Sequence, residues 1–143
     1  MSLRVTVRLV DGPVTDRVAD APLGAGAVLG FEGRVRPEEH GRALQALRYE
    51  AYPPMTNRQL EALARELGET HGLLGVHVDH SVGDVPVGAM SFRLVVHSAH
   101  RKPGLAALDA FIDRMKRDIA LWKVPRYADD ARGESQMEDS CGR

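Results

Sequence analysis

Apolar and polar residues alternate with a period of two in several stretches of the chain, the signature of half-buried strands. Leu3, Val5, Val7 and Leu9 are interleaved with Arg4, Thr6 and Arg8. Asp11-Gly12-Pro13 ends that run, and Val14 to Ala21 reads as a short helix. A segment rich in glycine and small apolar residues, Gly24 to Gly33, leads into a strand from Phe31 to Arg36. Arg34 and Arg36 lie two apart and so share one face of it. Pro37 to Arg42 is polar and reads as a mobile loop. Ala43 to Tyr52 is the next strand, stopped by Pro53-Pro54. Val76, Val78, His80 and Val82, then Met90, Phe92, Leu94 and Val96, read as a hairpin around a turn region, Gly83 to Gly88.

Two stretches change to helical spacing. Thr56 and Gln59 stand at the separation of a capping box, followed by Leu60, Leu63, Ala64 and Leu67, so the spacing predicts a helix to about Thr70. Leu105, Leu108, Ile112, Met115 and Ile119 mark the buried stripe of a longer helix ending near Ala120. Leu121 to Pro125 leaves it extended. Strands and helices are interspersed, with a hairpin among them, which favours an α+β domain over a parallel doubly wound sheet.

The 143 residues suit one domain, residues 1–128, followed by a polar tail, 129–143, that orders against a partner. A net charge of −1 argues against general nucleic-acid binding through a basic surface. No apolar run approaches the roughly 20 residues of a membrane span. The alternating N-terminus is unlike a signal peptide, and one cysteine, Cys141, cannot close an internal disulfide; both point to a cytoplasmic protein.

The candidate chemistry is cationic. His100, Arg101 and Lys102 stand where a strand hands over to a helix, whose free N–H groups favour anions; a solvated basic turn is the plain alternative. Lys116 lies about 20° around the helix from Leu105, so it borders the apolar stripe. There it either snorkels to water or projects into a pocket. Lys123, next to Trp122, is seven residues further on; two ammonium groups facing one cleft suit a phosphate, a carboxylate or a developing oxyanion. His77 with His80, and His97 with His100, have H-x-x-H spacing, but residues three apart on a strand face opposite sides and chelate poorly. No nucleotide-binding or nucleophile-elbow motif is present.

In order along the chain, these segments resemble the large, catalytic subunit of molybdopterin synthase. The resemblance is carried by Phe31-x-Gly33-x-Val35-Arg36, Leu47-x-Tyr49-Glu50-Ala51-Tyr52-x-x-Met55, His80-x-x-Gly83, Ser98-x-His100-Arg101, Ile112-Asp113-x-x-Lys116 and Trp122-Lys123. Ser81, Leu105, Ala120-Leu121 and Val124-Pro125 depart from the family pattern. The resemblance implies an α/β-hammerhead fold, mostly antiparallel, and a homodimer binding a small ubiquitin-like sulfur carrier at each end. The carrier's C-terminal thiocarboxylate would convert cyclic pyranopterin monophosphate to molybdopterin, with no metal or cofactor of the subunit's own. It places Lys116 and Lys123 on the catalytic lysines, Arg36, His100 and Arg101 on the substrate pocket, and Arg132 on a C-terminal pocket arginine. A non-catalytic module that binds an anion or a protein tail would use the same basic cluster.

Overall fold

The structure, a computed structural model, describes residues 2–18 and 20–131. Its seven strands are β1 (Arg4–Asp11), β2 (Ala27–Arg34), β3 (Glu38–Glu39), β4 (Arg42–Ala51), β5 (Gly75–Pro86), β6 (Met90–Ser98) and β7 (Leu121–Tyr127). The helices are α1 (Met55–Thr70) and α2 (Arg101–Asp118), and Ala128–Ala131 adds a short 3-10 turn. The strands follow the order β2-β6-β5-β4-β3, with β1 parallel to β5 and β7 antiparallel to β4. All other pairings are antiparallel, so the architecture is the mixed α+β expected from the sequence.

The long strand β5 belongs to two wings. Its first part pairs with β1 and β6; from Gly83 to Pro86 it pairs with β4 instead. Gly83 has φ +80°, a conformation that suits glycine, at the point where the partners change. The strand therefore runs through most of the region that the glycines mark as a turn.

One face of the larger wing is covered by α1 and α2. Val76, Val78, Phe92, Leu94 and Val96 pack there against Leu60, Leu63, Leu67, Ala107 and Phe111. The β1 alternation holds, since Leu3, Val5, Val7 and Leu9 pack against this core. The smaller wing has its own cluster, Val35, Leu44, Leu47, Val85 and Tyr127.

Four local expectations are corrected by tertiary contacts. The described residues of Val14 to Ala21 form no helix: the Val14 N–H donates to the Met90 carbonyl (2.9 Å) and Asp16 pairs with Arg8 (2.9 Å), drawing the start of the segment across the sheet. Pro37 to Arg42 is a tight hairpin, with His40 and Gly41 at φ +55° and +75° between β3 and β4. Both central residues of such a turn need positive φ, which suits Gly41. Thr56 and Gln59 form no capping box: the cap position is Pro54, and both side chains bond to Ala120, beyond the end of α2. Finally, the buried line of α2 runs through Gly104, Ala107, Phe111 and Met115, while Leu105 is 49% exposed. Large side chains alone mislead here, because small ones allow close approach. A Cβ on Gly104 would lie 2.3 Å from Leu29 Cδ1.

Candidate active site

The two wings and α2 meet around a cavity of about 600 Å³, within the range of small-molecule sites. The end of β2 and the following segment contribute Phe31, Gly33, Arg34 and Arg36; β4 contributes Tyr49, β5 His80 and β6 Phe92. Met115 and Lys116 come from α2, and Leu121 and Lys123 from β7. Of the three lysines in the sequence, two therefore line one cavity. The floor is apolar and aromatic and the walls carry cations, an arrangement that orients an anionic group by charge against a low-dielectric surface.

Lys123 is placed by its neighbours in sequence and space. Tyr49 is its partner across the β4–β7 ladder, and β7 continues without a break through Pro125. Its Nζ donates to Glu39 Oε2 at 2.9 Å. The lysine is half exposed, whereas the Glu39 side chain is 11% exposed. The Lys123 ammonium holds the Glu39 carboxyl below its ordinary value, against the opposing effect of burial. Arg34 is bonded to Glu32 (2.8 Å) and to the Gly88 carbonyl (3.2 Å). Arg36 is 79% exposed at the rim, its Nη2 4.0 Å from Glu39 Oε1.

His80 is buried at the floor. Its Nδ1–H donates to the Ser81 carbonyl at 2.8 Å, which leaves Nε2 as an acceptor. The ring lies edge-on to Tyr49, 5.0 Å between centroids, and 5.6 Å from Phe92. Burial lowers its pKa, so at neutral pH it is an uncharged group in the cavity. The Tyr49 hydroxyl in turn donates to Ser91 Oγ (3.1 Å).

The structure brings Arg36, Lys116 and Lys123 into one cavity and leaves His100 and Arg101 out of it. Those two lie with Lys102, Gly26 and Ala27 in a second, shallower recess at the start of α2. Fifteen residues separate Arg101 from Lys116 along α2, about 22 Å at the helical rise. Within a single chain the two groups therefore face separate recesses. Arg132 and Cys141 lie outside the described residues. Sequence reasoning missed Glu39 and Thr56 as site-building residues: an acidic residue in a polar turn and a threonine at a helix start carry no signal of what they meet across the fold. His80 was visible only as part of the hairpin. His77 and His80 do face opposite sides of the sheet, as strand periodicity requires: His77 bonds Thr6 Oγ1 (2.7 Å), while His80 meets Tyr49 and Phe92.

Fold and cavity together define a mixed α+β domain with a cationic pocket between two sheet wings. The sequence matches the MoaE protein family over residues 9–118, and the chain belongs to that family. A molybdopterin synthase catalytic subunit from Oryza sativa subsp. indica is 39% identical over 114 residues, 80% of this chain and 58% of that protein. One of the same description from Dictyostelium discoideum is 33% identical over 119 residues, 82% of this chain and 74% of that one. This chain thus spans only 58% of the rice protein's length. Among solved structures, molybdopterin synthase from Staphylococcus aureus superposes with a TM-score of 0.77 at 29% identity, covering 85% of this chain and 90% of the other. Molybdopterin cofactor biosynthesis protein E from Burkholderia multivorans gives 0.68 at 28% identity, with 90% and 93% coverage.

Proposed function

We propose that this chain is the catalytic subunit of a molybdopterin synthase. It acts in the cytoplasm and converts cyclic pyranopterin monophosphate to molybdopterin, with sulfur from the C-terminal thiocarboxylate of a small ubiquitin-like carrier. The observation that carries this reading is the meeting of Lys116, Lys123 and Arg36 in one cavity of a chain that belongs to the MoaE family. Substrate and donor are both anionic, and the cavity supplies cations against an aromatic floor that suits a pterin ring. Lys116 protonates or stabilises the opening cyclic phosphate. Lys123 orients the thiocarboxylate and, once its sulfur has bonded to the substrate, stabilises the oxyanion formed when water adds to the acyl carbon; collapse of that oxyanion leaves the sulfur on the substrate and releases the carrier as a carboxylate.

The site is completed by a second copy of the chain. Strand β2 is an edge of the sheet, and it runs from the His100–Arg101 recess at Ala27 to the lysine cavity at Arg34. That span is about 23 Å at the strand rise, close to the separation along α2. Val28 and Phe31 are exposed on it. An antiparallel apposition of two β2 edges about a central two-fold axis sets each copy's His100 and Arg101 beside the other's Arg36, Lys116 and Lys123. There they bind the phosphate of the substrate.

A single-turnover assay tests the activity. The protein is mixed with thiocarboxylated carrier and cyclic pyranopterin monophosphate, and dithiolene product is quantified. Product that is lost in Lys116→Ala and in the charge-preserving Lys116→Arg is the expected result. Carrier binding with no product would identify a non-catalytic docking module.

A further inference from the structure

Glu39 is the one carboxylate that lines the lysine cavity among the described residues. A carboxylate opposes the binding of anions nearby, so its role must lie in what it does to the cations it touches. Its two oxygens address two of them, Lys123 at 2.9 Å and Arg36 at 4.0 Å. The residue is held firmly. It sits in β3, paired to β4 across the His40-Gly41 turn, and the Leu44 N–H donates to the Pro37 carbonyl at 2.8 Å. Arg42, just past the turn, bonds to Asp129 (2.8 Å) and lies over the Tyr127 ring at 3.7 Å. Glu39 is thus a nearly buried anion on a braced hairpin, whereas its partner is a half-exposed lysine on a flexible stem.

We propose that Glu39 is a positioning residue that fixes the Lys123 ammonium at the cavity wall. One of the three ammonium N–H groups goes to Glu39 and two remain free for the acyl oxygen of an incoming carrier tail. A lysine stem samples many rotamers, and a fixed carboxylate selects one of them before the ligand arrives. The assignment rests on the function proposed above for the ligand, but not for the ion pair itself.

Two measurements on the full-length protein test it. The first is trace acetylation of the native protein, with mass-spectrometric readout of Lys102, Lys116 and Lys123. Glu39→Gln should speed modification of Lys123 several-fold and leave Lys102 and Lys116 unchanged. The second is the dithiolene assay. At saturating carrier, Glu39→Gln should lower turnover about tenfold with carrier KM within about twofold, because an interaction realised mainly in the transition state affects kcat. Glu39→Asp should recover part of the rate, and equal thermal midpoints would show that the fold is intact. Unchanged Lys123 labelling in Glu39→Gln overturns the proposal. So does a lower carrier KM with unaltered kcat, which would make Glu39 a competitor of the carrier tail. If the wild type forms no dithiolene, the proposed function fails, while labelling still decides whether Glu39 holds Lys123.

Discussion

The Thr56 hydroxyl donates to the carbonyl of Ala120 at 2.7 Å, and so ties the start of α1 to the link between α2 and β7. Thr56 Oγ1 also accepts the Tyr52 N–H (2.8 Å), and the Ala120 N–H donates to Gln59 Oε1 (2.9 Å). Three residues beyond Ala120 stands Lys123, and four before it Lys116. Both candidate lysines therefore leave a segment anchored by a helix they do not belong to.

Thr56→Val keeps the shape of this fully buried side chain and removes both hydrogen bonds. The Ala120 carbonyl is then left without that donor, which costs about 1–3 kcal/mol. The unfolding midpoint in urea should fall with an unchanged slope, and dithiolene formation should fall further than the fraction unfolded accounts for. Activity that simply tracks the folded fraction would remove Thr56 from the site's support.

A shared site predicts complementation. His100→Ala and Lys116→Ala subunits should each be inactive alone. When mixed and allowed to exchange, they form heterodimers in which one of the two cavities has all its wild-type residues. Activity should reappear toward a quarter of the wild-type level for random exchange, since half the dimers then carry one intact site. Subunits shown to exchange but remaining inactive would place His100 and Lys116 in the same-chain function or in none.

Acid should loosen the fold in the histidine range. Burial lowers the pKa of His80, His77 and His97; the latter two rings meet in a tilted pair 4.7 Å apart, and the Arg4 charge lowers both further. Each group therefore binds its proton more readily unfolded than folded. Stability is complete above the unfolded value, near 6.5, and is lost as pH falls below it. The thermal midpoint should drop between pH 7 and pH 5, before most carboxylates titrate. His77→Gln should flatten that slope; a midpoint that is level or rising toward pH 5 would contradict it.

Gly26 closes the wall of the His100 recess, where a Cβ would lie 2.5 Å from the carbonyl oxygen of Ala99. Backbone cannot swing aside as a side chain can, so Gly26→Ala must shift the start of β2. The expected loss is about 1–3 kcal/mol, as for other overpacked positions. Circular-dichroism melts against wild type would measure it, and a melt unchanged by the substitution would mean that the β2 start yields freely.

Much of the fold is legible in local pattern. The alternation of Leu3 to Leu9 and of Met90 to Val96, and the spacing of Leu60 to Leu67, specify strands and a helix because one face of each must leave water. Lys116 and Lys123 stood out by helical spacing and family resemblance. By contrast, Val14 to Ala21 has a helix-like composition, but Val14 is held by Met90 and Asp16 by Arg8. The buried side of α2 is set by Gly104 and Ala107, which no hydrophobicity count selects.

The sequence by itself determined both helices and most of the strands, the family, and the cationic character of the site, because these follow from side-chain chemistry and periodicity along the chain. Only the tertiary structure decided which cations meet. Arg36, Lys116 and Lys123 converge because β5 changes partners at Gly83 and brings two sheet wings against one end of α2. His100 and Arg101 are held at the other end by the length of that same helix. Glu39 and Thr56 gain their roles from residues more than 60 positions away. Such contacts depend on chain topology, which side-chain pattern alone does not encode.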